Sequence, residues 1–400
     1  MNAMTLGKSD LELRELLNPS APVTLKKSTI LKHSTALVET ILNTNTIQSY
    51  EQTKTQLSSL YEGLKDIFEI AQIPIELRKR QFLNKTGLAI SPQHALTTIK
   101  DVFRISGFIR SIDQAIKDLK QAFPEKLHIV YPACGPLAPL LMPLLAYYKH
   151  SGKYGPEDLS VTLIEIQEGA VLSLQTLFQA SELDCYLKEI VYCDAVDYVK
   201  KADEKIHLVI LEAMQHGFSK EGQLAIAIHF SKLLDVKGIF LPQKIAIEGV
   251  LASGEIEFNR QWKEQAFTHA SSMDKDIIKD RIKLGKILEI TLENIKNMDI
   301  FAVDEYTKLV RCASLKIPEM EKDRDQKILL FCSKIEIYKG EVIDEYDSGI
   351  THPLPDLSIC INFIPTKDQK PEDLYVNSGD TLAFFYRMNG LPGFLVTKKA

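Results

Sequence analysis

Three short stretches carry residues whose types and order suit one small ligand. The first, Tyr131-Pro132-Ala133-Cys134-Gly135-Pro136, is a turn after an apolar run. Its small residues let backbone amides approach a bound group at the start of the helix expected to follow. The second is Glu165, which closes Val161-Thr162-Leu163-Ile164. A carboxylate there can accept hydrogen bonds from the two hydroxyls of a ribose. The third is Asp194-Ala195 after Ile190-Val191-Tyr192, placed to meet an adenine edge. One glycine in a turn is usually only a turn, so the weight lies in the order of the three. The first turn is too poor in glycine for a dinucleotide pyrophosphate, and no G-x-x-x-x-G-K-[ST] phosphate loop is present.

These stretches need a parallel sheet to bring them together. Apolar runs at His128 to Tyr131, Val161 to Ile166, Lys188 to Tyr192 and Ile206 to Leu211 alternate with helical stretches such as Gly169 to Gln179. That alternation predicts βαβ units, in which ligands bind beyond the carboxyl ends of the strands. Residues 1–125 read as helical, with Leu57, Leu60, Leu64, Ile67 and Phe68 at three and four spacing. Ser91-Pro92 reads as a helix start, from which one helix is expected to run through Arg104 toward Lys120. After about residue 245 short strands dominate: Lys286 to Thr291, Ile328 to Tyr338, Ser358 to Ile364 and Thr381 to Met388. The expected fold is therefore α/β: a helical N-terminal region with a cofactor lid (1–125), a Rossmann-like domain (126–245), and an antiparallel, β-barrel-like domain (246–400). Residues 258–284 read as a helical insertion in the last of these.

The stretch after the fourth strand runs Leu211-Glu212-Ala213-Met214-Gln215-His216-Gly217-Phe218-Ser219-Lys220-Glu221, then a helix, then Lys237-Gly238-Ile239-Phe240-Leu241-Pro242. Here the sequence resembles the protein arginine methyltransferases, class I S-adenosylmethionine-dependent enzymes. That family carries two glutamates with eight residues between them after the fourth strand, then a Gly-hydrophobic-Pro segment leading into a β-barrel. Glu212 and Glu221 match the pair, and Gly238 with Pro242 match the Gly-hydrophobic-Pro segment. Asp101-Val102-Phe103-Arg104 matches the family's Asp-x-x-Arg, whose arginine meets the methionyl carboxylate of the cofactor. Glu165 matches its ribose-binding acid.

The resemblance implies S-adenosyl-L-methionine as cofactor, with Arg104, Tyr131, Cys134, Gly135, Glu165, Asp194 and Ala195 around it. It implies catalysis by Glu212 and Glu221, with His352 or His216 receiving the released proton. Two carboxylates would draw the charge of a cationic acceptor toward the nitrogens that do not react. The implied partner is a peptide or small-molecule methyl acceptor, methylated on nitrogen. A homodimer built on residues 258–284 is expected by the same analogy. Tyr131 stands where the family carries an acid, and Ala133 and Leu137 where it carries glycines. The only tryptophan, Trp262, is far from Thr351-His352-Pro353, the nearest match to the family's Thr-His-Trp loop. These departures leave open a natural-product methyltransferase with another acceptor, or a catalytically silent cofactor-binding scaffold.

Composition sets outer bounds. A chain of 400 residues is expected to form two or three domains. Hydrophobic residues make up 45% and charged residues 25%, ordinary for a globular protein. A net charge of -5 offers nucleic acid or an acidic membrane no general attraction. The six cysteines show neither CxxC nor zinc spacing, so no metal is expected. The opening MNAMTLGKSDLELREL lacks a signal peptide's apolar core, and a cytoplasmic protein with reduced thiols is the expectation.

Overall fold

The computed structural model describes residues 21–259, 273, 275–320, 326–365 and 367–399, with the backbone alone for 21–28. Residues 1–20, the middle of the expected 258–284 insertion and Trp262 lie outside the described residues.

The N-terminal region opens with helices Ala21–Asn43 (α1), Tyr50–Ile70 (α2) and Ile75–Lys79 (α3). Leu57, Leu60, Leu64, Ile67 and Phe68 of α2 are all buried, as their spacing predicts. Two short strands, Phe82–Leu83 (β1) and Leu88–Ala89 (β2), then pair antiparallel. Pro92–Ala95 (α4) begins where Ser91 accepts a hydrogen bond from the His94 amide. The single helix expected from here to Lys120 is broken. A 3-10 turn over Leu96–Lys100 ends at Asp101, and Val102–Ala122 (α5) starts afresh. The cause is the Asp101 carboxylate, which caps α5 by accepting from the Arg104 amide at 3.1 Å.

The central sheet consists of Leu127–Pro132 (β3), Leu159–Glu165 (β4), Leu187–Tyr192 (β5), Ile206–Ile210 (β6) and Leu234–Leu241 (β7). Its order is β5-β4-β3-β6-β7, and every pair is parallel. Every residue of β3 and of β6 is buried, as central strands covered on both faces must be. Helices Met142–Ser151 (α6), Glu168–Ala180 (α7) and Gln223–Ser231 (α8) connect the strands. The chain steps from β3 outward to β5 and then returns to lay β6 beside β3. The loops after β3 and β6 therefore flank a topological switch point.

Lys244–Ala252 (β8) leads into the C-terminal part, which is mostly antiparallel. Gly254–Glu257 (α9) and Lys275–Asp280 (α10) follow, then Ile282–Ile290 (β9), Leu292–Lys296 (α11), Ile300–Ala302 (β10) and Lys308–Lys316 (β11). Lys327–Tyr338 (β12), Glu341–Ile343 (β13), Leu354–Ile361 (β14), Leu374–Val376 (β15), Thr381–Arg387 (β16) and Gly393–Lys398 (β17) complete the fold. One sheet runs β15-β14-β12-β8-β9 with β13 on β12, and the other β10-β11-β16-β17. Among the described strands of this part, β14 and β15 alone pair in parallel. Phe331 of β12 meets Phe384 of β16 and Phe394 of β17, at 6.2 and 4.6 Å between ring centroids, and joins the two sheets.

Candidate active site

One cleft opens at the carboxyl ends of β3, β4, β5 and β6, with about 1060 Å³ of empty space when its mouth is included. That is at the upper end of the roughly 300–1,000 Å³ usual for small-molecule sites. Arg104, Tyr131, Cys134, Gly135, Glu165, Asp194, Ala195, Glu212 and Glu221 all line it.

Glu165 closes β4 and is 6% exposed. Its Oε2 accepts from the Gly135 amide, and its Oε1 from the Ile166 and Gln167 amides, each at 2.9 Å. Burial pushes its carboxyl above the usual range, against these three N–H groups. A carboxylate offers about four lone-pair directions, so about one remains for a ligand hydroxyl rather than two. The expected helix start at the first turn is absent, because α6 begins only at Met142. Pro136 and Pro139 interrupt the stretch between, and Ala133 (φ 51°) and Ala138 (φ 44°) hold left-handed backbone usually left to glycine. The Gly135 N–H is turned to Glu165 rather than aligned at a helix terminus.

At the other end of the cleft, Arg104 projects from the first turn of α5. Its Nη1 donates to Glu212 Oε2 at 2.9 Å and its Nη2 to the Thr98 carbonyl at 2.7 Å. Its Nε is buried and has no hydrogen-bond partner among the described residues. Burial works against the guanidinium charge, but the Glu212 and Asp101 carboxylates outweigh it and hold the group protonated. Burial raises the Glu212 carboxyl, with Arg104 opposing. The Glu221 carboxyl is pushed up to about 7, by burial first and then by Glu212. Gln215 donates to Glu221 Oε1 at 3.0 Å.

The loop carrying both glutamates is closed at its neck by Gln223, which accepts from the Ala213 amide at 2.7 Å. Gly217, Phe218 and Lys220 all have positive φ. A Cβ on Gly217 would lie 2.3 Å from the Leu354 side chain, so only glycine fits. Phe218 packs on Tyr386 of β16, 5.1 Å between centroids, and the Lys220 amide donates to the Pro392 carbonyl at 2.8 Å. The C-terminal sheets thus set the position of Glu212 and Glu221.

Asp194 caps the turn after β5 by accepting from the Val196 amide at 3.2 Å. Tyr131 is buried, with its hydroxyl pushed well up by burial and then by Cys134 and Glu212. Burial also drives the Cys134 thiol well up, leaving it a thiol and not a nucleophile. His352 does not line the cleft, contrary to expectation. Its ring stands edge-on to Tyr346 at 4.8 Å, and its Nδ1 lies 3.2 Å from the Pro353 carbonyl. His216 is likewise outside the lining. Sequence reasoning missed Asn84, Thr86 and Gly87 to Ile90, which line the cleft, and Gln167, which lines it with them. The one signal was the Asn84-Lys85-Thr86-Gly87 turn.

Among the described residues no group could hold a metal ion, and no helix is long and apolar enough to cross a membrane. No protein-family model matches the sequence, and no curated protein matches it. Solved structures do align with it. The PRMT1 enzyme-prozyme heterotetrameric complex with AdoHcy of Trypanosoma brucei is 12% identical over 77% of this chain and 93% of that one, with a TM-score of 0.43. Arabidopsis thaliana protein arginine methyltransferase 10 is 12% identical over 74% and 87%, with a TM-score of 0.44. The PRMT6-SAH structure is 10% identical over 77% and 99%, with a TM-score of 0.44.

Proposed function

We propose that this chain is an S-adenosylmethionine-dependent methyltransferase acting on a nitrogen of a peptide or small molecule. One observation carries the reading. A single cleft at the switch point of a parallel sheet has a strand-end carboxylate, Glu165, at one end and the buried group Arg104, Glu212 and Glu221 at the other. The residues fit the cofactor. Arg104 Nε is a buried donor in want of an acceptor, which a carboxylate supplies. Glu165 keeps about one lone-pair direction for a ribose hydroxyl. Once bound, the cofactor supplies an electrophilic methyl group.

The chain's own residues do the rest. Arg104 and Glu165 hold the two ends of the cofactor, and Asp194 and Ala195 border its adenine. Glu212 and Glu221 bind the acceptor nitrogen and orient it toward the methyl. Glu221, with a carboxyl that titrates near 7, is matched to take up the proton the acceptor loses. In this reading residues 126–245 form the cofactor unit, 1–125 its cover and 246–400 the acceptor and dimer unit.

Calorimetry with S-adenosylhomocysteine tests the cofactor. Binding is expected, and Glu165→Ala should weaken it by roughly 1.5–3 kcal/mol. Absence of binding in the wild type removes the proposal. A silent scaffold is the second reading, favoured by the Arg104–Glu212 contact that already engages one acceptor carboxylate. Binding without methyl transfer to guanidino, amino or imidazole acceptors would select it.

A further inference from the structure

Within the unit of residues 80–90, Asn84, Thr86 and Gly87 to Ile90 line the cleft, and the turn among them is hydrogen-bonded within itself. Asn84 Oδ1 accepts from the Thr86 amide at 2.8 Å and the Gly87 amide at 2.7 Å, and the Asn84 amide donates to the Gly87 carbonyl at 2.9 Å. These bonds lie within the unit and fix its shape, not its position. Its tip packs on the glutamate loop: a Cβ on Gly87 would lie 2.8 Å from the Glu221 backbone, and one on Gly222 3.0 Å from Thr86 Oγ1. The Leu88 amide donates to the Lys220 carbonyl at 2.7 Å. Lys85 pairs with Asp197 at 2.5 Å, but both side chains are more than half exposed, and such pairs contribute little.

The base of the unit is held differently. Gln167 is 3% exposed, and its Nε2 lies 2.9 Å from the Arg80 carbonyl, 3.3 Å from Ala89 and 2.9 Å from Ile90. Those carbonyls belong to the two ends of the unit. Three carbonyls around one atom fix the amide orientation, since only the NH2 can face them. The backbone amide of the same residue donates to Glu165 Oε1. One residue therefore touches both the ribose-type carboxylate and the base of the cover.

We propose that Gln167 is a positioning residue that pins residues 80–90 as a flap over the cleft and so sets how fast a ligand enters and leaves. The inference rests on the cleft being the cofactor site. With the side chain removed, the flap keeps its shape but swings from its ends, while Glu165 keeps the Gln167 amide.

The test has two arms. Hydrogen exchange of the ligand-free protein is followed over residues 82–90 in the wild type, Gln167→Ala and Gln167→Glu. The Glu variant is isosteric, and its carboxylate is repelled by the three carbonyls. Exchange should rise roughly tenfold in both variants, the scale of one or two lost hydrogen bonds, while residues 159–165 stay protected. Stopped-flow binding of S-adenosylhomocysteine should then show association and dissociation rates rising together, so that Kd changes less than either. A merely structural lesion would shift Kd and leave the association rate alone. Unchanged flap exchange in both variants overturns the proposal, as does faster exchange with neither rate altered. If the wild type does not bind S-adenosylhomocysteine, the cofactor reading falls, and the exchange arm alone decides whether Gln167 is the pin.

Discussion

Asp101 and Ser348 join the helix that carries Arg104 to the C-terminal sheets: the Ser348 hydroxyl donates to Asp101 Oδ2 at 2.5 Å, across 247 residues of sequence. The same carboxylate accepts from the Gly349 amide at 3.2 Å, while its other oxygen caps α5 at Arg104. Arg104 is therefore set by a contact from the far end of the chain, and in its ion pair with Glu212 only 8% and 13% of the two side chains are exposed.

That burial makes the pair sensitive to the loss of one partner. Glu212→Ala removes the closer of the two carboxylates facing the guanidinium, leaving Asp101 at 4.0 Å from Nε, and should cost up to about 3–5 kcal/mol of stability. The double change Arg104→Met with Glu212→Leu removes both charges and should recover most of that. Denaturant midpoints measure both. A cost under about 1 kcal/mol for the single change would mean that water reaches the pair.

Glu221 should make the protein less stable as pH rises. Its folded-state carboxyl titrates at about 7 against an ordinary 4.5, so the folded state holds the proton longer than the unfolded chain. The stability this contributes is whole below 4.5 and is lost as pH rises to about 7. The upper limit is ~3 kcal/mol, from the size of the shift. Glu221→Gln should remove that fall, so that in urea titrations between the two values stability changes with pH in the more positive direction than in the wild type. An unchanged slope would assign the titration elsewhere.

Two buried histidines should act in the opposite sense. His207 Nδ1 accepts the His128 amide at 2.8 Å, and His128 faces Thr162 through Nε2 and Glu204 through Nδ1, both at 2.9 Å. Lys188 and Lys205 also face them, the Phe123 ring packs on His207, and Asp235 and Glu125 act on His207. Burial lowers both rings, His128 to about 4 from 6.5, with Lys188 adding to the effect and Glu204 opposing it. A depressed histidine contributes stability present above 6.5 and lost as pH falls toward about 4. His128→Gln should therefore soften acid unfolding. Glu221 and the histidines titrate over one window with opposite signs, so the wild-type curve should be flatter there than either variant's.

Gly217→Ala should disturb the glutamate loop without touching a glutamate. The position has φ 63°, and an added Cβ meets the Leu354 side chain. A cost of about 1–3 kcal/mol is expected from the overpacking. On the proposed function, methyl transfer should fall more than S-adenosylhomocysteine affinity, because the loop carries the two glutamates proposed to bind the acceptor. Equal losses of both would count against that division.

Locality decides which features were legible in the sequence. β3, β4 and β6 are buried on both faces, so they appear as plain apolar runs, and their ends carried Glu165 and the Gly135 turn. The break at Asp101 comes from its own cap on the Arg104 amide, but the Ser348 hydroxyl that also engages that carboxylate lies hundreds of residues on and left no local sign. Gln167 was missed for the same reason, since its side chain bonds carbonyls 77 to 87 residues earlier. β1 and β2, two residues each, have no period to detect. His352 came from a motif match; in the structure its ring stands edge-on to Tyr346, six positions before it in the same loop, and it does not line the cleft.

The hydrogen bond from the Lys220 amide to the Pro392 carbonyl has a consequence for the order of synthesis. A ribosome makes the parallel sheet and the loop with both glutamates well before it makes β16 and β17. Domains fold as they emerge, N-terminal parts first. The sheet can therefore form while Phe218 still lacks Tyr386 and Lys220 still lacks Pro392. Until the chain through Pro392 emerges, the glutamate loop lacks the carbonyl that receives the Lys220 amide.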